Sequence, residues 1–293
     1  MTVEKRKVWA HIAGILTAVI WGTTFISTKV LLEDFEPIAV LIYRFIIAYV
    51  ALSIIKPKPL AFESLKKEFW YFLAGLLGVT IYFLFENIGL TYTLASNASV
   101  IVSTAPLFTA LLVFIFLKNE KPKKYFFIGF LFAMSGIALI SFQGTSTLEL
   151  HVIGDILALG AAIVWAFYSV ILKKHVDMSK QMIEITKRII FYGILTMLPF
   201  GAVYGAKLDL NMLFSGTNLG NFLYLGIGAS AICYVTWNYS LEVLGALKAS
   251  LYIYLVPVIA IITSVVVLGE PFTLTVAAGV VLTLAGLLIS EKK

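Results

Sequence analysis

The sequence predicts an all-α membrane protein of ten transmembrane helices arranged as two inverted five-helix repeats. Three observations carry that expectation. The 293 residues are 60% hydrophobic and 13% charged, with a mean hydropathy of +0.98. Soluble domains are nearer half apolar and a quarter charged. The apolar runs reach the length of about 20 residues that crosses a bilayer as a helix. Finally, the chain repeats itself. Ile42-Tyr43-Arg44-Phe45 returns around Arg188, 144 positions on, and the same offset carries Trp21 onto Trp165 and Lys29 onto Lys173. At an offset of 151, Asn87 meets Asn238, Ala95 meets Ala246, Ser99 meets Ser250 and Pro106 meets Pro257. At 150, Gly129 and Gly136 meet Gly279 and Gly286. Small changes of offset are what loop insertions produce in a tandem duplication.

The spans follow in order. Lys5-Arg6-Lys7 precedes an apolar run too long for a cleaved signal, so 8–31 is a first helix that stays. Further spans are expected at 37–55, 69–90, 94–117, 124–143, 152–172, 182–204, 219–240, 244–268 and 273–290. The linkers at 91–93 and 241–243 force antiparallel hairpins. The polar stretch Gly144-Thr145-Ser146-Thr147 divides the chain into a first repeat, 1–147, and a second, 148–293.

Charge orients these spans. With the N-terminus inside, sixteen Lys and Arg fall in cytoplasmic segments, whereas the opposite loops hold only Lys207, with Glu33, Asp34 and Glu36 in the first. The positive-inside rule therefore places both termini in the cytoplasm. Five spans per copy means that the second copy enters the membrane upside down. Inverted repeats give a fold two shapes, one open to each side, with a site near the midplane between them. That is alternating access.

Several function classes are disfavoured. Ten spans leave only loops and tails, with no soluble domain. No phosphate loop, zinc-binding His-Glu-x-x-His or Gly-x-Ser-x-Gly elbow occurs. His11, His151 and His175 lie near membrane edges. No cofactor, metal or catalytic set is expected, which argues against an intramembrane enzyme; kinked, aromatic cores favour occlusion over a channel. The net charge of +6 sits in short loops and suits lipid contact, not nucleic acid. Cys233, in an apolar run, is the single cysteine of the sequence, so no intramolecular disulfide can form. A monomer or homodimer in the bilayer is expected.

Ionisable groups within spans are costly and are functional candidates by default. Arg44 and Arg188 should point into the bundle. Glu184 lies one turn before Arg188, in the favourable orientation for a helical ion pair. The equivalent position in the first copy is Val40, so Arg44 is the better candidate to meet an anionic group. Glu86, with Tyr82 one turn before it, maps onto Trp237 and is unduplicated. It could carry a proton for antiport, or sit at the wet helix end beside Arg44. Lys29 and Lys248 can snorkel, and Asp155 suits a helix N-terminus. Pro106 and Pro257 fall at the centres of spans four and nine, where proline kinks a helix; paired kinks suit a gate, or are static. Ala95, Ala98, Ser99, Ala246, Ala249 and Ser250 let those helices pack closely. Trp21, Trp165, Tyr82, Tyr168, Trp237, Tyr252 and Tyr254 bring aromatic surface to depth. With Thr23, Thr24, Asn87 and Asn238 they could line a pocket for a small organic ligand, or simply pack.

These features together resemble the drug/metabolite transporter superfamily, specifically its EamA-type members. Trp21-Gly22-Thr23-Thr24 and the run to Lys29 are similar to that family's first helix, and Gly154-Asp155 through Lys174 to its sixth. The runs around Pro106 and Pro257, closed by Glu120 and Glu270, resemble its fourth and ninth. Gly279 through Ser290 resembles its last. The resemblance implies secondary transport of small metabolites, with export of amino acids or related compounds common. It also implies a central cavity holding Trp21, Tyr82, Trp165 and Tyr252. The expected function is thus a metabolite exporter of an inner membrane; the alternative is a proton-coupled multidrug antiporter using Glu86.

Overall fold

A computed structural model describes residues 2–93, 95–117, 121–141, 152–204, 208–268, 273–290 and 292. The expected repeat boundary at 144–147, His151, Glu120, Glu270 and Lys207 lie outside the described residues, as does the side chain of Ala95.

Among the described residues the regular structure is entirely helical. The chain opens with α1 (Val3–Asp34) and α2 (Pro37–Ile55). Next come α3 (Leu65–Gly75), a first π-helical segment (Leu76–Ile81) and α4 (Tyr82–Tyr92), which together form one long rod. α5 (Ala95–Val102), α6 (Ala105–Phe116) and α7 (Lys124–Ser141) complete the first half. α8 (Val152–His175), α9 (Met182–Val203) and the short α10 (Leu210–Leu213) follow. α11 (Gly216–Leu223), a second π-helical segment (Tyr224–Ile232) and α12 (Cys233–Leu244) form a second interrupted rod. α13 (Ala246–Leu251), a 3-10 turn (Tyr252–Tyr254), α14 (Leu255–Leu268) and α15 (Leu274–Ser290) end the chain.

Seven of these helical stretches are long and apolar enough to cross a membrane, and Lys124–Leu139 and Leu274–Ser290 are shorter apolar helices. α9 has the length for a span but carries Glu184, Lys187 and Arg188 in its first two turns. The chain is a multi-pass membrane protein.

Two local features differ from expectation, each for a physical reason. Proline does not merely bend spans four and nine; it opens a new helix. Pro106 is the second residue of α6, where its missing N–H has no intrahelical partner to lose, and Ser103-Thr104 turn the chain before it. Pro257 is the third residue of α14, behind the 3-10 turn. The second hairpin turns later than expected, at Gly245, whose φ of 89° favours glycine.

The core is aromatic at its centre and close-packed at one edge. Trp165, Tyr168, Tyr234 and Trp237 are buried among helices from both halves. At the edge, α7 and α15 run antiparallel with their backbones in contact at glycines. A Cβ on Gly136 would lie 2.5 Å from Gly279 O, and one on Gly286 would lie 2.6 Å from Gly129 O. Glycine here permits backbone contact between helices.

Candidate functional site

Six side chains singled out from the sequence wall a single pocket: Trp21 and Thr24 of α1, Arg44 of α2, Tyr82 and Glu86 of α4, and Trp165 of α8. Phe25, Phe83, Val102, Ile253 and Val256 complete it. These five carried no sequence signal, because an apolar residue in an apolar helix looks alike whether it faces lipid, core or cavity. The free space totals about 500 Å³ counted out to the open mouth.

The polar groups are few and deliberately held. Arg44 is 2% exposed. Its Nε donates to Ser230 Oγ at 3.0 Å, and its guanidinium carbon stands 4.4 Å from the Phe83 ring centroid. Ring faces favour a cation placed this way. Among the described residues no carboxylate is close enough to pair with it. Glu86 accepts from the Tyr82 hydroxyl at 3.3 Å. The pocket therefore offers one cation and one carboxylate within apolar walls. Its aromatic base is continuous: the Trp21 ring meets Trp165 edge-on at 5.2 Å and Trp237 at 5.3 Å, and Trp165 meets Tyr82 at 4.9 Å.

The remaining candidates lie outside the pocket wall, fastening helices to one another. Tyr168 donates to Asn238 Oδ1 at 2.9 Å, and Asn238 Nδ2 donates to Thr186 Oγ1 at 3.0 Å, joining α8, α12 and α9. Asn87 Nδ2 reaches Pro37 O at 3.4 Å. Trp237 backs the ring cluster and is buried. The Tyr252 hydroxyl pairs with His11 Nδ1, so that histidine is drawn into the bundle. Polar side chains among apolar helices satisfy one another in this way.

The expected pairing of Glu184 with Arg188 does not form. Arg188 lies 3.2 Å from Glu68 of α3 and donates to Leu60 O, and Tyr192 donates to Glu68. Glu184 instead faces Lys56 at 3.9 Å. A helical i,i+4 pair contributes only a few tenths of a kcal/mol, so a less exposed carboxylate on a neighbouring helix wins. Sequence reasoning missed Glu68, which lies near the start of its helix, and Lys187. Lys187 is buried and donates to the carbonyls of Lys56 and Lys58, past the C-terminus of α2, where a cation suits the helix dipole. Of the remaining charges, Lys248 is exposed as expected, and Asp155 accepts from Thr93 at 3.0 Å.

The comparisons with known proteins agree with this architecture. The model of the EamA-like transporter family matches twice, over residues 8–142 and 152–291. An uncharacterized transporter of Archaeoglobus fulgidus is 30% identical over 98% of this chain and 99% of its own. A protein of Streptantibioticus cattleyicolor, named "Probable terminal-alkyne amino-acid exporter", is 27% identical over 98% of this chain and 94% of its own. A crystal structure with 18% sequence identity superposes over 96% of both chains with a TM-score of 0.75, a likeness of fold. With the family matched across both halves, the chain belongs to the EamA-like transporters.

Proposed function

We propose that the protein exports small organic metabolites, amino acids or related compounds, by alternating access between two inverted five-helix repeats of ten spans in all. One observation carries this reading. The pocket is walled from both family-matched segments, Trp21 to Val102 from the first and Trp165, Ile253 and Val256 from the second. A site between repeats is where rocking would expose it to each side in turn.

The helix contacts support a two-fold relation. Gly129 and Gly136 map onto Gly279 and Gly286, yet Gly136 meets Gly279 and Gly286 meets Gly129. Such crossed contacts are what a two-fold axis between α7 and α15 requires. An odd number of spans per repeat makes that axis lie in the membrane plane. On this reading the protein lies in an inner membrane, and the charge count favours both termini in the cytoplasm.

The pocket's chemistry suits a zwitterion. Arg44 would meet a carboxylate and Glu86 an ammonium group, with Trp21, Tyr82 and Trp165 against the apolar remainder. On this reading Thr24 lends a hydroxyl, and Tyr168, Trp237, Asn87, Asn238 and Tyr252 hold the frame. The relative named as an amino-acid exporter points the same way. The test is counterflow in liposomes with a panel of amino acids and their decarboxylated and deaminated analogues. Zwitterions should exchange and each half-charged analogue should fall at least tenfold; equal flux of all three would refute the assignment.

A second reading rests on Glu86 itself. It lines the pocket beside Arg44 with no cation in ion-pair contact among the described residues, so it could exchange a proton against a cationic solute. Flux that requires an imposed pH gradient, and loses that requirement in Glu86→Gln, would establish antiport. Flux indifferent to the gradient would return Glu86 to substrate binding.

A further inference from the structure

The two π-helical segments occupy equivalent places in the two halves, and each leaves one carbonyl without its helical partner. In the first, the Tyr82 N–H reaches back five residues to Leu77 O and passes over Gly78 O. In the second, the Cys233 N–H bonds Gly228 O and Ser230 O and passes over Ala229 O. Gly78 and Ala229 are 151 positions apart, the offset of the repeat. A carbonyl freed at membrane depth needs a donor, and each has found one on another helix. The Trp21 indole Nε1 donates to Ala229 O at 3.0 Å. The Tyr234 hydroxyl donates to Gly78 O.

The donors are not equivalent, although the acceptors are. The image of Trp21 is Trp165, and the image of Ala229 is Gly78. The bond that mirrors Trp21 to Ala229 would therefore join Trp165 to Gly78. It is not made. Trp165 Nε1 is buried and has no hydrogen-bond partner among the described residues. Yet its helix lies on that very segment: a Cβ on Gly78 would run into the ring of Tyr168, one turn along α8 from Trp165. Tyr234, whose image is Phe83 and has no hydroxyl, holds Gly78 O in its place.

We infer that Trp21 and Trp165 are a matched pair of positioning residues that exchange roles in the transport cycle. In the conformation described, Trp21 holds the second π-helical segment through Ala229 O and Trp165 is idle. In the opposite conformation Trp165 holds the first segment through Gly78 O, Tyr234 withdraws, and Trp21 releases Ala229. Inverted repeats reach their second shape by swapping the conformations of the two halves, and the swap carries one bond into the other. Both indoles line the pocket, so solute lodged there bears directly on which bond forms. Arg44, also at the pocket, fastens the same second segment through Ser230. This exchange presupposes the two inverted repeats proposed above.

The test is sided labelling of a pocket cysteine. Cys233 is replaced by Ala, Val102 in the pocket wall by Cys, and the vesicles are treated with a membrane-impermeant maleimide from either face. Trp21→Phe removes the donor of the present state, and Tyr234→Phe frees Gly78 O for Trp165. Both should shift the ratio of labelling between the two faces in one direction by threefold or more. Trp165→Phe should shift it the other way. Movement of Trp21→Phe and Trp165→Phe in the same direction, or no movement of Tyr234→Phe, would overturn the exchange while leaving transport intact. A reporter labelled from one face alone, with and without solute, would overturn alternating access itself and the exchange with it.

Discussion

Removing Glu68 should destabilise the protein far more than removing Glu184, although only Glu184 shares a helix with Arg188. The Arg188 and Glu68 side chains are 21% and 10% exposed, at 3.2 Å, and Glu68 also accepts from Tyr192. Stripping one partner from a fully buried pair costs about 3–5 kcal/mol; with a fifth of the Arg188 side chain in contact with solvent, the cost falls below that range, to about 2–3 kcal/mol. Glu184 faces Lys56 at 3.9 Å, and Lys56 is 53% exposed, so Glu184→Ala should cost less than about 0.5 kcal/mol. Arg188→Ala should match Glu68→Ala, and the double variant should recover about 1–2 kcal/mol of their summed cost. Reversible unfolding in mixed micelles measures all four. Arg44→Ala provides the contrast: it removes a buried cation that no carboxylate pairs with at short range among the described residues, so stability should fall less than in Arg188→Ala while transport falls at least tenfold. Equal costs for Glu68→Ala and Glu184→Ala, or full additivity of Arg188→Ala with Glu68→Ala, would refute the reasoning.

Three more perturbations follow from the packing. Gly136→Ala sets a Cβ 2.5 Å from Gly279 O and Thr283 N, both backbone atoms, so α7 and α15 must part. A loss of about 1–3 kcal/mol is expected, read by the same unfolding. Gly245→Ala forces alanine to a φ of 89° and should cost about 1 kcal/mol or more, without altering solute affinity in a binding assay. Asn238→Leu leaves the hydroxyls of Tyr168 and Thr186 without their shared partner, at about 1–3 kcal/mol; Asn238→Asp, which keeps the acceptor for Tyr168, should retain more of the stability.

The helices were legible because length and hydropathy dictate them. α2 was expected at 37–55 and lies at Pro37–Ile55; α9 was expected at 182–204 and ends at Val203. Trp21, Arg44, Tyr82, Glu86 and Trp165, each singled out in sequence, line one pocket, whereas Tyr252, which the family resemblance places in the cavity, does not. What stayed hidden depended on contacts between helices. The π-helical segments have no composition of their own, since Leu76–Ile81 reads as ordinary apolar helix. The Tyr168–Asn238–Thr186 chain joins residues far apart in sequence, and no local spacing announces it. Arg188 was assigned the wrong partner because spacing along one helix is visible in sequence and a carboxylate on a neighbouring helix is not.

The departures from symmetry fall where the two-repeat reading needs them. A rocking scaffold requires equivalent parts, and the chain keeps them: Pro106 with Pro257, Gly129 with Gly279, Gly78 O with Ala229 O. A pocket that receives one solute cannot be symmetric, because an amphipathic molecule has two unlike ends. The charges break the pattern accordingly. Glu86 stands where the second half has Trp237, and Glu184 where the first half has Val40. Arg44 is left unpaired at the pocket while its image, Arg188, is fastened to Glu68 and Leu60 at the other end of the bundle. Duplication alone would have placed the same charge at both ends. On this reading one arginine remains free to meet solute, and the other holds α3 to α9.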